Sequence, residues 1–342
     1  MMSGTLFVDG IDAFTTWGVY VTKQGWNDLV AYPPLKEVDE NDWQEYDGVD
    51  PDLSDPQLDA KDVKINFGIH GMFNHFSAFI DLLSDGAYHW FSSPYLPRPF
   101  RLRCVQMPNL SMALRMGTAT IKFSDDFSPL AAYKYLGVEY DAFDPTTALS
   151  TTIIQADDYL LDGRALSEYN CRVLKGTLAE VLKLPDVKPN LLRNINTQTG
   201  AIYDGERVMV PDEEGNPTDK VQSSNVTYKS KDVKVYCYMT ANTLAELWQN
   251  YYRLLSDLVQ PNSRQLYVAA VEDAFECYYS KCSVTTFYPT DKIWLAFTLT
   301  LTFIDGTRAS DEDIVLSDED GTLLDFGDEA FMDVESHYTT SN

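Results

Sequence analysis

Positive charge is scarce in this chain. Its 342 residues carry 26 Lys and Arg against 52 Asp and Glu, a formal net charge of −26. Gripping phosphates requires Lys and Arg, so the chain is expected to repel nucleic acid or be indifferent to it. Cysteine is also sparse, and odd in number: Cys104, Cys171, Cys237, Cys277 and Cys282. Such a set in a long chain excludes a disulfide framework. Cys277 and Cys282 sit in strand-like sequence; they read as two reduced, half-buried thiols, with approach across a turn as the alternative. No apolar run is long enough to cross a bilayer and no signal-peptide pattern is present, so no membrane insertion is expected. Residues 1–14 contain Asp9 and Asp12 and begin a strand-like stretch, which leads us to expect mature structure there and cytoplasmic synthesis.

Catalytic signatures are missing too. There is no G-x-S-x-G elbow, P-loop, G-x-G-x-x-G or H-E-x-x-H pattern. Only four histidines occur: His70, His75, His89 and His337. His70 and His75 are five apart, whereas two ligands on one helical face need a spacing of three or four, so the pair suits zinc poorly. Asp318-Glu319-Asp320-Gly321 resembles part of a calcium loop, but Leu316 and Gly327 would fill ligand positions neither can serve. Carboxylates abound without any diagnostic pairing. The expectation is a non-enzyme with no catalytic, cofactor-binding or metal-binding residues and no cofactor.

What is present is a β-rich, folded composition. Hydrophobic residues make up 44% and charged residues 23%, ordinary values for a globular chain of two-domain length. The 21 Tyr and 17 Phe favour strands. The acid is concentrated. Residues 36–62 hold 11 acids against Lys36 and Lys61, and residues 305–342 hold 12 against Arg308; both read as solvated, partly disordered faces.

The chain also repeats itself. Leu6-Phe7-Val8-Asp9-Gly10 matches Tyr159-Leu160-Leu161-Asp162-Gly163. Lys61-Asp62-Val63-Lys64-Ile65 matches Lys231-Asp232-Val233-Lys234-Val235. Leu82-Leu83-Ser84-Asp85 matches Leu254-Leu255-Ser256-Asp257, and Ile121-Lys122-Phe123-Ser124-Asp125 matches Leu301-Thr302-Phe303-Ile304-Asp305. The offset widens along the chain, chiefly through a longer loop at 204–224. Leu244, Leu247, Trp248, Tyr251, Leu254, Leu255 and Leu258 recur at helical steps behind a Thr243/Glu246 capping box, with Pro261 just beyond. A shorter stripe, Phe73, Phe76, Ile80 and Leu83, marks the matching helix. Residues 293–304 alternate with period two, as a strand with one buried face does; 266–271 or 274–286 would be its hairpin partner. Segments 100–105 and 113–123 show the same tail. One helix on an antiparallel sheet in each half is α+β built on a β-sandwich or barrel. The expected domains are 1–126, a linker at 127–156 rich in Thr and Pro, 157–306 as an internal duplicate, and an acidic tail at 307–342.

Asp9-Gly10-Ile11-Asp12 leading to Trp17-Gly18-Val19-Tyr20-Val21 resembles the opening of phage distal tail proteins, where a strand and a short turn lead to an aromatic-Gly-aliphatic entry into a second strand. Tyr32-Pro33-Pro34-Leu35-Lys36, and Asn41-Asp42-Trp43 to Asp47-Gly48, look like the acidic connection in such proteins of Bacteroides-type phages. The second half looks like another copy of the first instead of a galectin-like accessory domain, which is closer to baseplate hub and tail-tip proteins. The resemblance implies two tandem tail-tube-like β-sandwich/barrel domains, each with one packed helix. It further implies a structural virion component in the tail, distal tail or baseplate hub, ringed around the DNA channel. The expected partners are other copies in a six-fold or pseudo-six-fold ring (hexamer or trimer), the tail tube protein, and tail-tip or baseplate proteins. DNA would pass without specific binding, since acid repels phosphate. Two other readings compete. One is a carbohydrate-binding module or adhesin using Trp17, Trp26, Trp43, Trp90 and Trp294. The other is a hydrolase with a carboxylate pair.

Overall fold

A computed structural model describes residues 3–43, 47–71, 73–113, 115–126, 159–186, 188, 202–203, 208–211, 217–218, 228–290 and 292–305. The expected linker and the acidic tail after 305 therefore lie outside the described residues. The first half runs β1 (Phe7–Val8), β2 (Ile11–Asp12), α1 (Ala13–Trp17), β3 (Val19–Val21), α2 (Asn27–Val30), β4 (Glu40–Asn41), β5 (Asp50–Pro51), β6 (Lys61–His70), α3 (Phe73–Leu83), β7 (Tyr88–Ser92), β8 (Phe100–Ala113) and β9 (Met116–Asp125). The second runs β10 (Tyr159–Leu161), β11 (Arg164–Ala165), a 3-10 turn (Leu166–Tyr169), β12 (Cys171–Val173), α4 (Gly176–Leu182), β13 (Ile202–Tyr203), β14 (Val208–Pro211), β15 (Pro217–Thr218), β16 (Lys231–Ala241), α5 (Leu244–Leu258), β17 (Arg264–Val268), β18 (Asp273–Tyr288) and β19 (Ile293–Phe303). The chain is β-rich α+β with few helices.

Each half builds one seven-stranded antiparallel sheet, ordered β2-β1-β7-β8-β9-β6-β3 in the first and β11-β10-β17-β18-β19-β16-β12 in the second. Taken strand by strand, the two orders are the same. A flat sheet of seven strands would hold its edges about 29 Å apart. Yet the edge strands β2 and β3 are joined only by Ala13–Trp17 and Gly18, a stretch that reaches at most roughly 20 Å even when extended. The sheet must therefore curl until its edges face each other. The second half makes the same closure through the 3-10 turn and Asn170. Gly18 (φ 70°) and Asn170 (φ 52°) both end these short helices in the left-handed region, one of the few places where Asn substitutes for Gly cheaply.

The matches extend to fine detail. Asp9-Gly10 and Asp162-Gly163 each have two consecutive positive φ values, 50° and 78°, then 47° and 79°. These are the two-residue hairpin turns whose twist suits flanking strands. One β-bulge recurs as well, in β8 between Cys104 and Gln106 and in β18 between Tyr279 and Lys281. It leaves Val105 and Ser280 as the extra residues. The fourth sequence match needs correction. Val63 pairs with Phe123, and its counterpart Val233 pairs with Leu301; Phe123 thus corresponds to Leu301, and Phe303 lies two residues further on. A two-residue slip keeps every apolar side chain on the same face, so period-two sequence cannot reveal it.

Inward-facing side chains of each curled sheet meet the long helix. In the first half Val63, Ile65, Phe67 and Ile69 alternate with exposed Asp62, Lys64 and Asn66 along β6, and Phe79 of α3 packs edge-on to Phe67 at 5.6 Å. Phe79 is fully buried while Phe73 is 57% exposed, so the apolar stripe of α3 is rotated from the one read in sequence. In the second half Tyr251 of α5 meets Phe297 at 5.2 Å and Trp248 meets Phe287 at 5.1 Å. Thr243 caps α5 as expected, its Oγ1 accepting from Glu246 N at 3.1 Å. The Glu246 carboxylate accepts from Asn242 N at 3.0 Å, one residue before the cap amide the sequence pointed to. Of the two candidate partners it is β18 that pairs with β19, over Cys277–Tyr288, whereas β17 pairs with β10 and β18. Cys277 and Cys282 lie on one continuous strand, not across a turn, and both are free thiols.

Leu299, 2% exposed on the inner face of β19, measures this core. Truncation to Ala should cost about 2–5 kcal/mol in chemical denaturation; a loss well under ~1 kcal/mol would mean that the face does not carry the packing assigned to it.

Candidate functional site

The residues on which small-molecule chemistry would rest are dispersed. His70 ends β6 and His75 lies in α3; both are exposed. Among the described residues no group of three or more metal-ligating side chains comes together. His337 and the Asp318–Asp320 stretch lie outside the described residues. Of the tryptophans weighed for sugar stacking, Trp17 and Trp26 are core residues, 8% and 7% exposed. Trp294 stacks on Tyr288 of the neighbouring strand at 6.1 Å. Only Trp43 and Trp90 are well exposed, at 57% and 49%, and they stand on different elements. An open hollow of about 370 Å³ carries Asp50, Asp52 and Glu276 on its wall. Among the described residues no helix is long and apolar enough to cross a membrane.

The most built-up feature outside the two cores is a strap, described at residues 27–43 and 47–58, which leaves the first sheet and lies across the second. Sequence reading took its acidic part as a solvated, partly disordered face; the described carboxylates between 36 and 62 are indeed exposed, but the backbone that carries them is bonded to the second half. Tyr32, 2% exposed, enters the aromatic core of the second half. Its ring stacks on Tyr251 at 4.0 Å and stands edge-on to Tyr279 and Phe297 at 6.3 and 6.2 Å. The polar ends are all used: Tyr32 Oη donates to Tyr251 O, Tyr251 Oη to Val30 O at 3.1 Å, and Tyr279 Oη to Pro33 O at 2.8 Å. Burial pushes all three phenols well above their ordinary range, so they remain neutral donors. Leu35 N then donates to Ser280 O, the bulge residue of β18, at 2.8 Å. A bulge carbonyl that the ladder leaves over thus finds its partner in the strap.

The acid-rich end of the strap is tied down by backbone and by one lysine. Val49 N donates to Ile304 O, Gly48 N to Tyr228 O, and Asn262 N to Leu53 O. Lys188 of the second half, 3% exposed, donates to Trp43 O at 2.7 Å and Gly48 O at 2.5 Å, and pairs with Asp42 at 2.7 Å. Carboxylates still face outward around these contacts, but the chain that carries them is docked. These ties also explain why Met1–Arg308 forms one compact unit rather than two beads on a linker.

Two further side-chain devices occur once in each half. Lys61 Nζ reaches Leu29 O at 2.7 Å and Ala31 O at 2.5 Å, at the end of α2. Lys231 Nζ reaches Val181 O at 2.7 Å and Lys183 O at 2.8 Å, at the end of α4. Both cap helix carbonyls with positive charge, where the helix dipole favours it. Burial pushes the Lys61 ammonium down to about 8, with Asp125 opposing the shift. The second device clamps the hairpin turn. Asp9 accepts from Trp90 N at 2.8 Å and from His89 Nδ1 at 2.6 Å. Asp162 accepts from Gln265 N at 2.8 Å and from Arg264 Nη1 at 2.9 Å. His89, 5% exposed and also bonded to Asp85 at 3.1 Å, has the look of a catalytic histidine. Arg264 at the same place in the second sheet identifies the shared task as supplying a cation to a turn. Burial pushes the imidazole pKa down, but hydrogen bonds and charge from Asp9 and Asp85 outweigh it, and the net shift is upward. The sequence offered His89 no role; the Asp-Gly repeat was the signal that led to it.

No family model matches the chain, and no curated protein matches it. Among solved structures, the chain is similar to the SPP1 Dit (gp 19.1) protein, a hub adsorption apparatus protein of phages that infect Gram-positive bacteria. The alignment covers 87% of this chain and 98% of that one, at 10% identity and a TM-score of 0.29. A TM-score of that size does not establish a shared fold.

Two outcomes follow from the strap and the clamp. Tyr32→Ala should cost about 3–5 kcal/mol, the usual range for emptying a large aromatic site, and should split one unfolding transition into two in denaturant titration; a single, unshifted transition would show that the strap does not couple the halves. His89 has a raised folded pKa, so its contribution is full below about pH 6.5 and is lost as pH climbs through the folded value. Thermal midpoints should fall across that window in the parent and stay level in His89→Arg; equal slopes in both would contradict the clamp.

Proposed function

We propose that the chain is a structural, non-enzymatic building block of a phage-type tail, placed at the tube end or in the baseplate hub. In this reading the two halves are tandem tail-tube-like domains, and copies assemble into a ring around the DNA channel. The observation that carries the reading is the one sheet order used twice, with the first copy strapped onto the second by a head-to-tail contact. Domains related in this way propagate around an axis and close a ring if the rotation allows it. Three chains would supply six similar domains, matching a six-fold tube while leaving a three-fold tip; a hexamer with six first domains around the channel is the close alternative. The tail tube protein and tail-tip proteins would lie above and below.

Net charge supports the same role. A duplex passing an acidic wall is repelled weakly at physiological salt and slides without being held. The test is immunogold labelling of purified particles combined with negative-stain imaging of the purified protein. Label confined to the tail end, with rings around an open channel, is expected. Label on the capsid, or its absence from the particles, would refute the tail assignment. The exposed Trp43 and Trp90 keep a carbohydrate-binding reading alive: glycan binding by a monomer, lost in Trp43→Ala or Trp90→Ala, would favour an adhesin.

A further inference from the structure

The start of the strap has a counterpart in the second half, and among the described residues two apolar side chains of that counterpart are left exposed. The correspondence is fixed from both ends. Lys61 caps Leu29 O and Ala31 O where Lys231 caps Val181 O and Lys183 O. Asp59 N bonds to Pro34 O where Lys229 N bonds to Asp186 O, each at 2.8 Å. Between these anchors, Val30 corresponds to Leu182 and Tyr32 to Leu184. Val30 and Tyr32 are each 2% exposed, Tyr32 within the aromatic core of the second half; Leu182 and Leu184 are 54% and 79% exposed.

The surface they would need is likewise duplicated. Tyr279 and Ser280, the strap-bearing pair on β18, correspond through the shared bulge to Cys104 and Val105 on β8. Tyr279 is buried and the Ser280 carbonyl is bonded by the strap, but Cys104 is half-buried and Val105 is 41% exposed. Beside them, Leu110 and Met112 hold the places of Val284 and Phe287, and both are half-buried. The floor differs in a way that suits the smaller knob. Ala119 stands where Phe297 does, and Phe67 where Cys237 does. Phe67 and Ala119 are already buried, so the first-half slot is shallower and calls for an aliphatic side chain in place of a tyrosine ring.

We infer that a second copy of this chain occupies the Cys104–Val105 face of the first sheet, seating Leu182 and Leu184 there as Tyr32 is seated on the second sheet within one chain. Among the described residues the knobs and the receiving face of the same chain are both left exposed, so no described contact satisfies the pair internally. Each added copy leaves one knob and one face open, and the series ends only by closing on itself. The inference supplies the chain-to-chain interface for the ring proposed above and rests on that reading for its closure, but not for the contact itself.

The experiment is site-directed cross-linking of the full chain. Leu184→Cys, treated at high protein concentration with a short bismaleimide, should give covalent dimers and higher multiples by joining position 184 of one copy to the native Cys104 of the next. Adding Cys104→Ser should abolish them, and Leu174→Cys, exposed elsewhere, should not replace them. The Leu182→Glu, Leu184→Glu double variant should sediment as a monomer with an unchanged thermal midpoint, since both side chains are already outside the core. The interface is overturned by multiples that persist in Cys104→Ser, by cross-linking that never exceeds the Leu174→Cys background, or by a double variant that associates like the parent. Tail labelling without the 184–104 link would remove this interface and leave the tail assignment standing; the link without tail labelling would do the reverse.

Discussion

The interaction on which the rest of the molecule depends is the insertion of Tyr32 beneath the second sheet. A tyrosine placed there removes a large apolar ring from water while its hydroxyl finds a backbone carbonyl. Around it Tyr251 and Tyr279 reach back to carbonyls of the strap, so the polar groups at this junction are satisfied by the same contact that buries the apolar ones. Without the strap, Ser280 O would lose its partner and the aromatic core of the second half would be open on one side. The acid in the strap is tolerable because backbone bonds and Lys188 hold the chain in place while the carboxylates point to water.

Two copies of one sheet within a single chain act as an internal control on what each side chain is for. Features shared by both are the parts the fold requires: the paired positive φ values at Asp-Gly, the left-handed residue after the short helix, the lysine on helix carbonyls, the bulge in the long strand. Features that differ show how loosely each requirement is met. Arg264 replaces His89, and Asn170 replaces Gly18, with the local geometry kept. In this light His89 with its two carboxylates is part of the hairpin architecture that both halves share. Departures that break the equivalence outright, Leu184 for Tyr32 and Val105 for Ser280, fall at the strap and the strand that receives it, where the pair is in contact in one place and exposed in the other.

Much of the fold was legible in sequence because it rests on local periodicity. Alternation along 293–304, the three- and four-residue steps of α5 and the Thr243 cap are all short-range signals. The Asp-Gly turns were legible for the same reason. What was hidden depends on contacts between distant segments. The strap reads as an acidic loop because only a few of its residues, Tyr32 and Leu53 among them, are buried, and they follow neither period. Phe79 was passed over because Phe73 completes the same helical spacing, and only the packing of α1 and Trp17 against α3 tells them apart. The two-residue slip in the last landmark was invisible in principle, since it exchanges one inward residue for another.

The central claim is that one contact, made within the chain between its first and second halves, is made again between chains. A cryo-electron microscopy reconstruction of the assembled protein measures this directly. The account predicts that the junction between the second half of one copy and the first half of the next superposes on the internal junction, with Leu184 above Cys104 where Tyr32 lies above Tyr279. An assembly built on a two-fold contact between identical faces, or one that leaves Leu184 and Val105 in solvent, would contradict it.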